Sequence, residues 1–204
     1  MRGHTVAVSE CTSGGLLAAS LLSLPGASAY FTGGAVAYAS GAREALVPGT
    51  HDALRALESA RGSDNYASPE RYWESRVLWA TCAARDLRGM CGADWGVAEV
   101  GAAGPSFHRA TGVDAEDGKG FVVVAVVGPP ADARAADPVW VRVCETGHPR
   151  RDENMWQFAA AAASLAARCV EGSEPADNAE ETAEDDSRRV EWPEALEATM
   201  RVVR

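Results

Sequence analysis

The stretch Thr5-Val-Ala-Val-Ser-Glu-Cys-Thr-Ser-Gly-Gly15, followed directly by Leu16-Leu-Ala-Ala-Ser-Leu-Leu22, decides the fold of this chain. The apolar and β-branched residues at its start are typical of a buried strand, and the Ala/Leu run at its end has helical spacing. The small polar residues and two glycines between them predict a tight turn. The turn is neither the Gly-x-x-x-x-Gly-Lys of a P-loop nor the Gly-x-Gly-x-x-Gly of a dinucleotide fold. The sequence therefore predicts a strand, a turn and a helix.

The predicted turn places Cys11, Thr12 and Ser13 beside the first backbone N–H groups of the helix. Those donors have no partner within the helix, and together with the helix dipole they favour negative charge. A thiol or hydroxyl held there is a candidate nucleophile, and an anionic group of a ligand could bind there. A turn with a purely structural role is the alternative.

The remaining patterns indicate an α/β fold. An apolar run from Gly33 to Tyr38 predicts a second strand, and Pro48-Gly49 predicts a break before a short helix over 51–63. Ser68-Pro-Glu70 has the residues of a helix N-terminus and predicts a long helix to about Leu87. Further strands are expected at 95–100, 119–127 and 137–144, the last two as antiparallel neighbours, and an Ala-rich helix is expected to end near Cys169.

Charge is distributed unevenly along the 204 residues. The segment 171–204 holds 11 of the 29 acidic but only 4 of the 19 basic residues, so it accounts for most of the net charge of −10. Its composition predicts a disordered acidic tail, whose end from Trp192 to Arg204 could form a short amphipathic helix for a protein partner. Residues 1–170 are expected to form one domain of ordinary size. No nucleic-acid partner is expected.

Five cysteines are widely spaced, odd in number and without metal-ligand spacing. This pattern favours a reducing compartment and predicts no metal site. No run approaches the roughly 20 apolar residues of a membrane span, so we expect a cytoplasmic protein with no membrane contact. The basic residues are arginines except for Lys119, the only lysine, which restricts the possible catalytic schemes.

Several short segments, in a fixed order from residue 5 to about 170, resemble the competence/damage-inducible CinA C-terminal domain family. They are the first turn with Gly14-Gly-Leu-Leu-Ala-Ala19, Pro25-Gly-Ala-Ser-Ala-Tyr-Phe31, Gly34-Ala-Val-Ala-Tyr38, Gly92-Ala-Asp94, Gly101-Ala-Ala-Gly-Pro105 and Gly120 before a β-run. The resemblance implies a single-domain three-layer α/β/α sandwich with a mixed central sheet, often oligomeric, so a homo-oligomer is expected. It also implies a nicotinamide mononucleotide deamidase, which hydrolyses the carboxamide to nicotinic acid mononucleotide and ammonia without a cofactor.

The resemblance also implies roles for individual residues. Where the family has a serine nucleophile, a tyrosine and an activating lysine, this chain has Cys11, Tyr38 and Arg43. The chain begins at the first strand, without the helix that precedes it in the family, and we expect this to expose part of a core or interface. The implied substrate-binding positions are Glu10, Thr12, Ser13, Gly14, Gly15, Gly34, Gly101, Gly104, Arg150 and Arg151.

Arginine stays protonated at working pH, so Arg43 cannot take a proton from a nucleophile as a neutral lysine can. Cysteine needs less help, because a nearby cation and a helix N-terminus can hold it as a thiolate. The resulting hypothesis has Cys11 attack the amide carbon and the N–H groups around Ser13 to Gly15 stabilise the oxyanion. Tyr38 or His148 would then help ammonia to leave.

The same two substitutions support a second hypothesis from a different class. In it the chain is a catalytically inactive family member that acts as a nucleotide-binding or protein-interaction module. Binding of nicotinamide mononucleotide without turnover would distinguish this module from an amidase. The sequence leaves the two hypotheses open.

Overall fold

The computed structural model describes residues 3–61, 69–104, 120–132, 134–147 and 149–172. These residues form five strands and five helices. The strands are β1 (Val6–Glu10), β2 (Phe31–Val36), β3 (Trp95–Ala102), β4 (Phe121–Val127) and β5 (Val139–Glu145). The helices are α1 (Leu16–Leu22), α2 (Ser40–Leu46), α3 (Pro48–Arg61), α4 (Pro69–Cys91) and α5 (Arg151–Glu171), and a 3₁₀ turn covers Ala27–Ala29. The α/β prediction is confirmed.

The strands form one mixed sheet in the order β2-β1-β3-β4-β5. β1 pairs in parallel with β2 and β3, whereas β4 is antiparallel to both β3 and β5, as expected for β4 and β5. After β1 the chain passes to β2 on one side and then to β3 on the other. The carboxyl ends of β1 and β3 therefore form a topological switch point, the place where open α/β sheets bind ligands.

Helices cover both faces of the sheet, which confirms the three layers. On one face α4 packs on β1, β3 and β4, with α3 against it; on the other, α5 packs on β3 and β4, with α1 beside it. β4 is buried along its whole length and divides its side chains between the two cores: Val123, Ala125 and Val127 face α4, and Val122, Val124 and Val126 face α5. This strand reads as a continuous apolar run because both of its faces are covered.

The structure corrects two expectations between β2 and β3. Pro48 begins α3 instead of marking a break, a position that suits proline because the first helical N–H needs no partner. Asp86 of α4 then accepts hydrogen bonds from the backbone N–H (2.8 Å) and hydroxyl (2.9 Å) of Thr50. α4 also extends past Leu87 to Cys91 and ends at Gly92, whose φ of 61° is favourable only for glycine.

Other expectations lie outside the described residues. They are Ser68 as a helix cap, His148, and the tail from residue 173 onward. The proposed domain boundary at 170 stays a prediction; α5 itself ends at Glu171. None of the helices in the described ranges is long and apolar enough to cross a membrane.

Gly101 shows how tightly the sheet is packed beside the switch point. A Cβ at this position would lie 1.9 Å from the backbone oxygen of Phe121 on β4. No flexible side chain can move aside there, because the obstacle is backbone. Gly34 is similarly restricted, since its Cβ would lie 2.7 Å from a methyl group of Val8 on β1.

We therefore expect Gly101→Ala to lower the free energy of unfolding by at least about 1–3 kcal/mol, the usual cost of overpacking. Gly41→Ala is the matched control, because Gly41 lies in α2 with nothing near its Cβ position. The control should be neutral or stabilising by up to about 1 kcal/mol, since alanine favours the helix. Urea unfolding of both variants measures the difference, and equal stabilities would contradict the packing argument.

Candidate functional site

The Glu10 carboxylate, at the end of β1, holds the start of α1. It is buried and accepts hydrogen bonds from the backbone N–H groups of Gly15 (2.9 Å), Leu17 (3.0 Å) and Ala18 (2.8 Å), and from the hydroxyl of Ser13 (2.6 Å). A carboxylate is favoured at this position because it satisfies the unpaired N–H groups and the positive end of the helix dipole. The anion predicted at this helix start is thus one of the protein's own side chains.

A second buried carboxyl group, Glu99 in the middle of β3, holds the turn that precedes α1. Its oxygens lie 2.6 Å from the Cys11 nitrogen, 2.9 Å from the Ser13 nitrogen and within hydrogen-bonding contact of the Thr12 hydroxyl. Glu99 is on the same face of the sheet as Glu10. Burial raises its pKa, and the hydrogen bonds from the turn only partly offset this effect.

Ser13 connects the two carboxyl groups. Its Oγ lies 2.6 Å from Glu10 and 2.8 Å from Glu99, yet a hydroxyl group has only one proton to donate. Both contacts become hydrogen bonds when Glu99 carries a proton and donates it to Ser13, which in turn donates to Glu10. This arrangement agrees with the raised pKa of Glu99.

This network corrects the expected oxyanion site. The N–H groups of Ser13 and Gly15 are taken by Glu99 and Glu10, so they are not available to a ligand. Within the described ranges, the N–H groups of Thr12 and Gly14 have no acceptor. They are the turn donors that a substrate oxygen could still contact.

The Cys11 thiol lies beneath the turn in a strongly unfavourable setting for a thiolate. Its side chain is 7% exposed and belongs to the core between the sheet and α4. Burial, and secondly the charge of Glu99, raise the pKa of Cys11 to about 12, although Arg76, Arg43 and Arg151 oppose them. Desolvation outweighs the nearby positive charges in this setting, so the thiol form of Cys11 is favoured over the expected thiolate.

Three arginines from three helices lie close enough to Cys11 for their charges to act on it: Arg43 of α2, Arg76 of α4 and Arg151 of α5. Arg43 and Arg76 both stack on the buried ring of Trp79, with Cζ 4.9 Å and 5.2 Å from its centroid. Among the described residues, none of the three forms an ion pair with a carboxylate. Unpaired guanidinium groups gathered in one place favour an anionic ligand.

Tyr38 and Arg151 lie at the outer side of this cluster. Tyr38 follows β2, is 58% exposed, and its hydroxyl is 3.4 Å from Nη2 of Arg151. Gly104 lies beside them, since a Cβ there would be 3.6 Å from Cβ of Arg151. Arg150, in contrast, forms an ion pair with Glu153 at 2.7 Å. Of the two candidate arginines at this helix start, Arg151 is the one beside Tyr38.

The start of α5 is fixed by Asn154, which is fully buried. Its Nδ2 donates to the carbonyl of Ala103 (2.7 Å), and its Oδ1 accepts from the hydroxyl of Thr146 (2.5 Å). Gly120 packs directly against Asn154. Its φ is 51°, and a Cβ at this position would lie 2.3 Å from Nδ2 of Asn154. Asn154 thus joins the ends of β3 and β5 to the helix that carries Arg151.

Comparison with known proteins shows which proteins this chain resembles. Residues 1–61 match the model of the CinA C-terminal domain. A CinA-like protein of Gloeobacter violaceus is 33% identical over 135 residues, which are 66% of this chain. The chain is similar to proteins of the CinA C-terminal domain family. It spans 27% of the length of that relative.

Solved structures of CinA proteins share the fold. Competence damage-inducible protein A (ComA) of Klebsiella pneumoniae superposes with a TM-score of 0.57 at 20% identity, over 83% of this chain and 88% of that one. Competence/damage inducible protein CihA of Agrobacterium tumefaciens gives 0.57 at 22% identity, over 80% and 83%. At these identities the likeness supports the α/β/α fold alone.

Sequence reasoning missed three residues of this site: Glu99, Arg76 and Asn154. Glu99 could have been noticed as a single acid inside an otherwise apolar strand, Trp95-Gly-Val-Ala-Glu-Val100. Arg76 lies four residues after Tyr72 and three before Trp79, a spacing that places all three on one side of a helix. Asn154 carried no local signal, because its partners lie far away in sequence.

A separate cavity of about 510 Å³ lies at the opposite end of the sheet, beside the amino ends of β1 and β3. Its lining is mostly apolar and includes Leu17, Leu21, Trp95 and Val170. The described residues contain no group of three or more His, Cys, Asp or Glu side chains arranged to hold a metal. The polar chemistry of the described residues is thus concentrated at the carboxyl ends of β1 and β3.

We expect Cys11 to resist alkylation at neutral pH, with a rate that rises about tenfold per pH unit towards its pKa of about 12. Glu99→Gln should lower this pKa, because it removes a negative charge that raises it. The measurement is iodoacetamide labelling of Cys11 as a function of pH, followed by peptide mass spectrometry. A midpoint at or below the ordinary cysteine value of 9.0 would contradict the burial argument.

The two carboxyl groups should respond differently to amide substitution. Glu10→Gln should cost about 1–3 kcal/mol of unfolding free energy, because both Glu10 oxygens accept N–H groups and an amide nitrogen cannot. Glu99→Gln should cost less, since one Glu99 oxygen faces only the Thr12 hydroxyl, which can accept from an amide. Equal losses, measured by urea unfolding at pH 7, would contradict this difference between the two groups.

The pH dependence provides a further check on Glu99. Because the folded pKa is raised, the stability that Glu99 contributes is fully present below its unfolded value, near 4.5, and is lost as the pH rises through the folded pKa. Glu99→Gln should abolish this part of the pH dependence. Thermal unfolding of both proteins from pH 4.5 upward measures this pH dependence. The same pH dependence in both proteins would contradict the raised pKa of Glu99.

Proposed function

We propose that this CinA-type domain binds nicotinamide mononucleotide, or a nucleotide of the same class, at the arginines around Cys11, without efficient hydrolysis. The observation that supports binding is the convergence of three guanidinium groups that have no carboxylate partner among the described residues. Guanidinium groups match phosphate oxygens in geometry and charge. The position at the carboxyl ends of β1 and β3 is where this class of sheet binds nucleotides.

Weak hydrolysis follows from the chemistry of the thiol. With a pKa of about 12, only about one Cys11 in 10⁵ is ionised at pH 7, and the thiolate is the nucleophile. Arg43 cannot serve as a base, because a guanidinium does not release its proton at working pH. In the described part of the chain, no hydrogen-bond acceptor contacts the sulfur.

The amidohydrolase is the second candidate, in which Cys11 hydrolyses the carboxamide to nicotinic acid mononucleotide and ammonia. One observation favours it: the N–H groups of Thr12 and Gly14 directly follow the thiol and have no acceptor within the described ranges. Donors in that position can stabilise a tetrahedral oxyanion. The proposed homo-oligomer, the cytoplasmic location and a protein partner for the acidic tail stay predictions.

The test combines binding with turnover. Calorimetric titration of the full chain with nicotinamide mononucleotide should show binding that weakens as salt is added. Arg151→Gln should weaken it about 10- to 100-fold, the value of a lost charge-assisted hydrogen bond. Arg55→Gln is the matched control, because Arg55 is an exposed residue of α3 and should bind as the original chain does.

Ammonia release from the same nucleotide, with and without Cys11→Ala, separates the two candidates. We expect no release above the Cys11→Ala background, together with unchanged binding in that variant. Turnover that disappears in Cys11→Ala would establish the amidohydrolase instead. Absence of binding in correctly folded protein would exclude both.

A further inference from the structure

Arg76 adds a positive charge to the site beyond those of Arg43 and Arg151, more than one phosphate group of a nucleotide requires. It lies on α4 between two aromatic residues, with Cζ 5.1 Å from the ring centroid of Tyr72 and 5.2 Å from that of Trp79. Contacts of this kind hold a guanidinium in place by its faces and leave the N–H groups at its edge able to donate. One of them reaches the hydroxyl of Ser75 at 3.3 Å.

Arg43 approaches the same Trp79 ring from α2, with Cζ 4.9 Å from its centroid. The two guanidinium groups are therefore within roughly 10 Å of each other, a separation at which like charges in a half-buried site repel. Trp79 is only 4% exposed, and Nε of Arg43 is buried without an acceptor. A buried donor without a partner is costly unless something else satisfies it.

Two acidic residues of β3 and α4, Glu99 and Glu74, already have partners of their own. Glu99 is surrounded by donors of the turn, and Glu74, two residues before Arg76, forms an ion pair with Arg61. Within the described ranges neither Arg43 nor Arg76 has a carboxylate partner. No carboxylate of the described residues therefore neutralises these two guanidinium groups, and Arg151 with Tyr38 forms a separate contact beside them.

We propose that Arg43 and Arg76, stacked on Trp79, form a second anion subsite next to Arg151. The site then selects nucleotides that carry two anionic groups, a phosphate together with a carboxylate or a second phosphate. This inference rests on the proposed nucleotide binding and refines its ligand class. It favours nicotinic acid mononucleotide over nicotinamide mononucleotide, and a diphosphate over a monophosphate, because the second group of each pair adds one negative charge.

The experiment is a set of calorimetric titrations of the full chain with matched pairs of probes. The pairs are nicotinic acid mononucleotide against nicotinamide mononucleotide, ADP against AMP, and pyrophosphate against phosphate. We expect the member with more negative charge to bind at least tenfold more tightly in at least one pair. The pair that shows the preference identifies whether the second anion is a carboxylate or a phosphate.

Arg76→Gln should remove this preference while the weaker member of each pair binds almost unchanged. Arg76→Met is the second variant, since its unbranched chain keeps the packing against Tyr72 and Trp79 if the glutamine variant does not fold. Arg55→Gln, on the exposed side of α3, should retain the full preference. A purely structural role of Arg76 would lower both affinities of a pair by the same factor and would overturn the proposal.

The remaining outcomes separate the subsite from the proposed function. Pyrophosphate binding that depends on Arg76, without binding of any nucleotide, would support the subsite and refute nucleotide binding. Nucleotide binding with no preference in any pair would support the proposed function and refute the subsite. Failure of every probe to bind would refute both.

Discussion

Two buried carboxyl groups hold the central turn of this domain. Glu10 and Glu99 lie on the same face of the sheet, and between them they accept the hydrogen bonds of the turn and the first residues of α1. Burying a carboxyl group is costly unless it is hydrogen-bonded, and each of these accepts three hydrogen bonds and also contacts the shared hydroxyl of Ser13. The position of Cys11 follows from this network, because its backbone nitrogen is one of the donors.

The same network limits what Cys11 can do. Glu99 holds the turn and places its negative charge next to the Cys11 thiol. The thiol is also buried, and both the charge and the burial disfavour the thiolate. A serine hydroxyl in this position would not suffer that penalty in the resting protein, because it stays neutral until a base takes its proton during the attack. The cysteine has the higher intrinsic nucleophilicity but stands in a location suited to an uncharged group.

Much of the fold was predictable because its signals are local. The strand, turn and helix at the start, the apolar run of β4 and its antiparallel partner β5 can all be identified from hydrophobic periodicity. Pro48 was misjudged because proline both ends one helix and begins another. Cys11, Tyr38, Arg43 and Arg151 were identified through the family resemblance, and the structure brings them to one end of the sheet.

What the sequence could not reveal depends on contacts between distant residues. Glu99 is 88 positions away from Cys11, and no periodic pattern connects them. Arg76 appears in the sequence as an ordinary polar position of a long helix, and its importance becomes visible only when α2 brings Arg43 to the same Trp79 ring. The raised pKa of Cys11 has the same origin, since desolvation depends on how the protein packs around the thiol.

The placement of α4 and α5 on opposite faces of the sheet has a thermodynamic consequence. Arg76 belongs to one layer and Arg151 to the other, so a ligand held by both would connect the two layers across the edge of the sheet. Such a ligand binds only when both layers are docked, and its binding free energy therefore adds to the stability of the whole domain. Occupancy of the site would couple the unfolding of the two helical layers, which lie on opposite faces of the sheet.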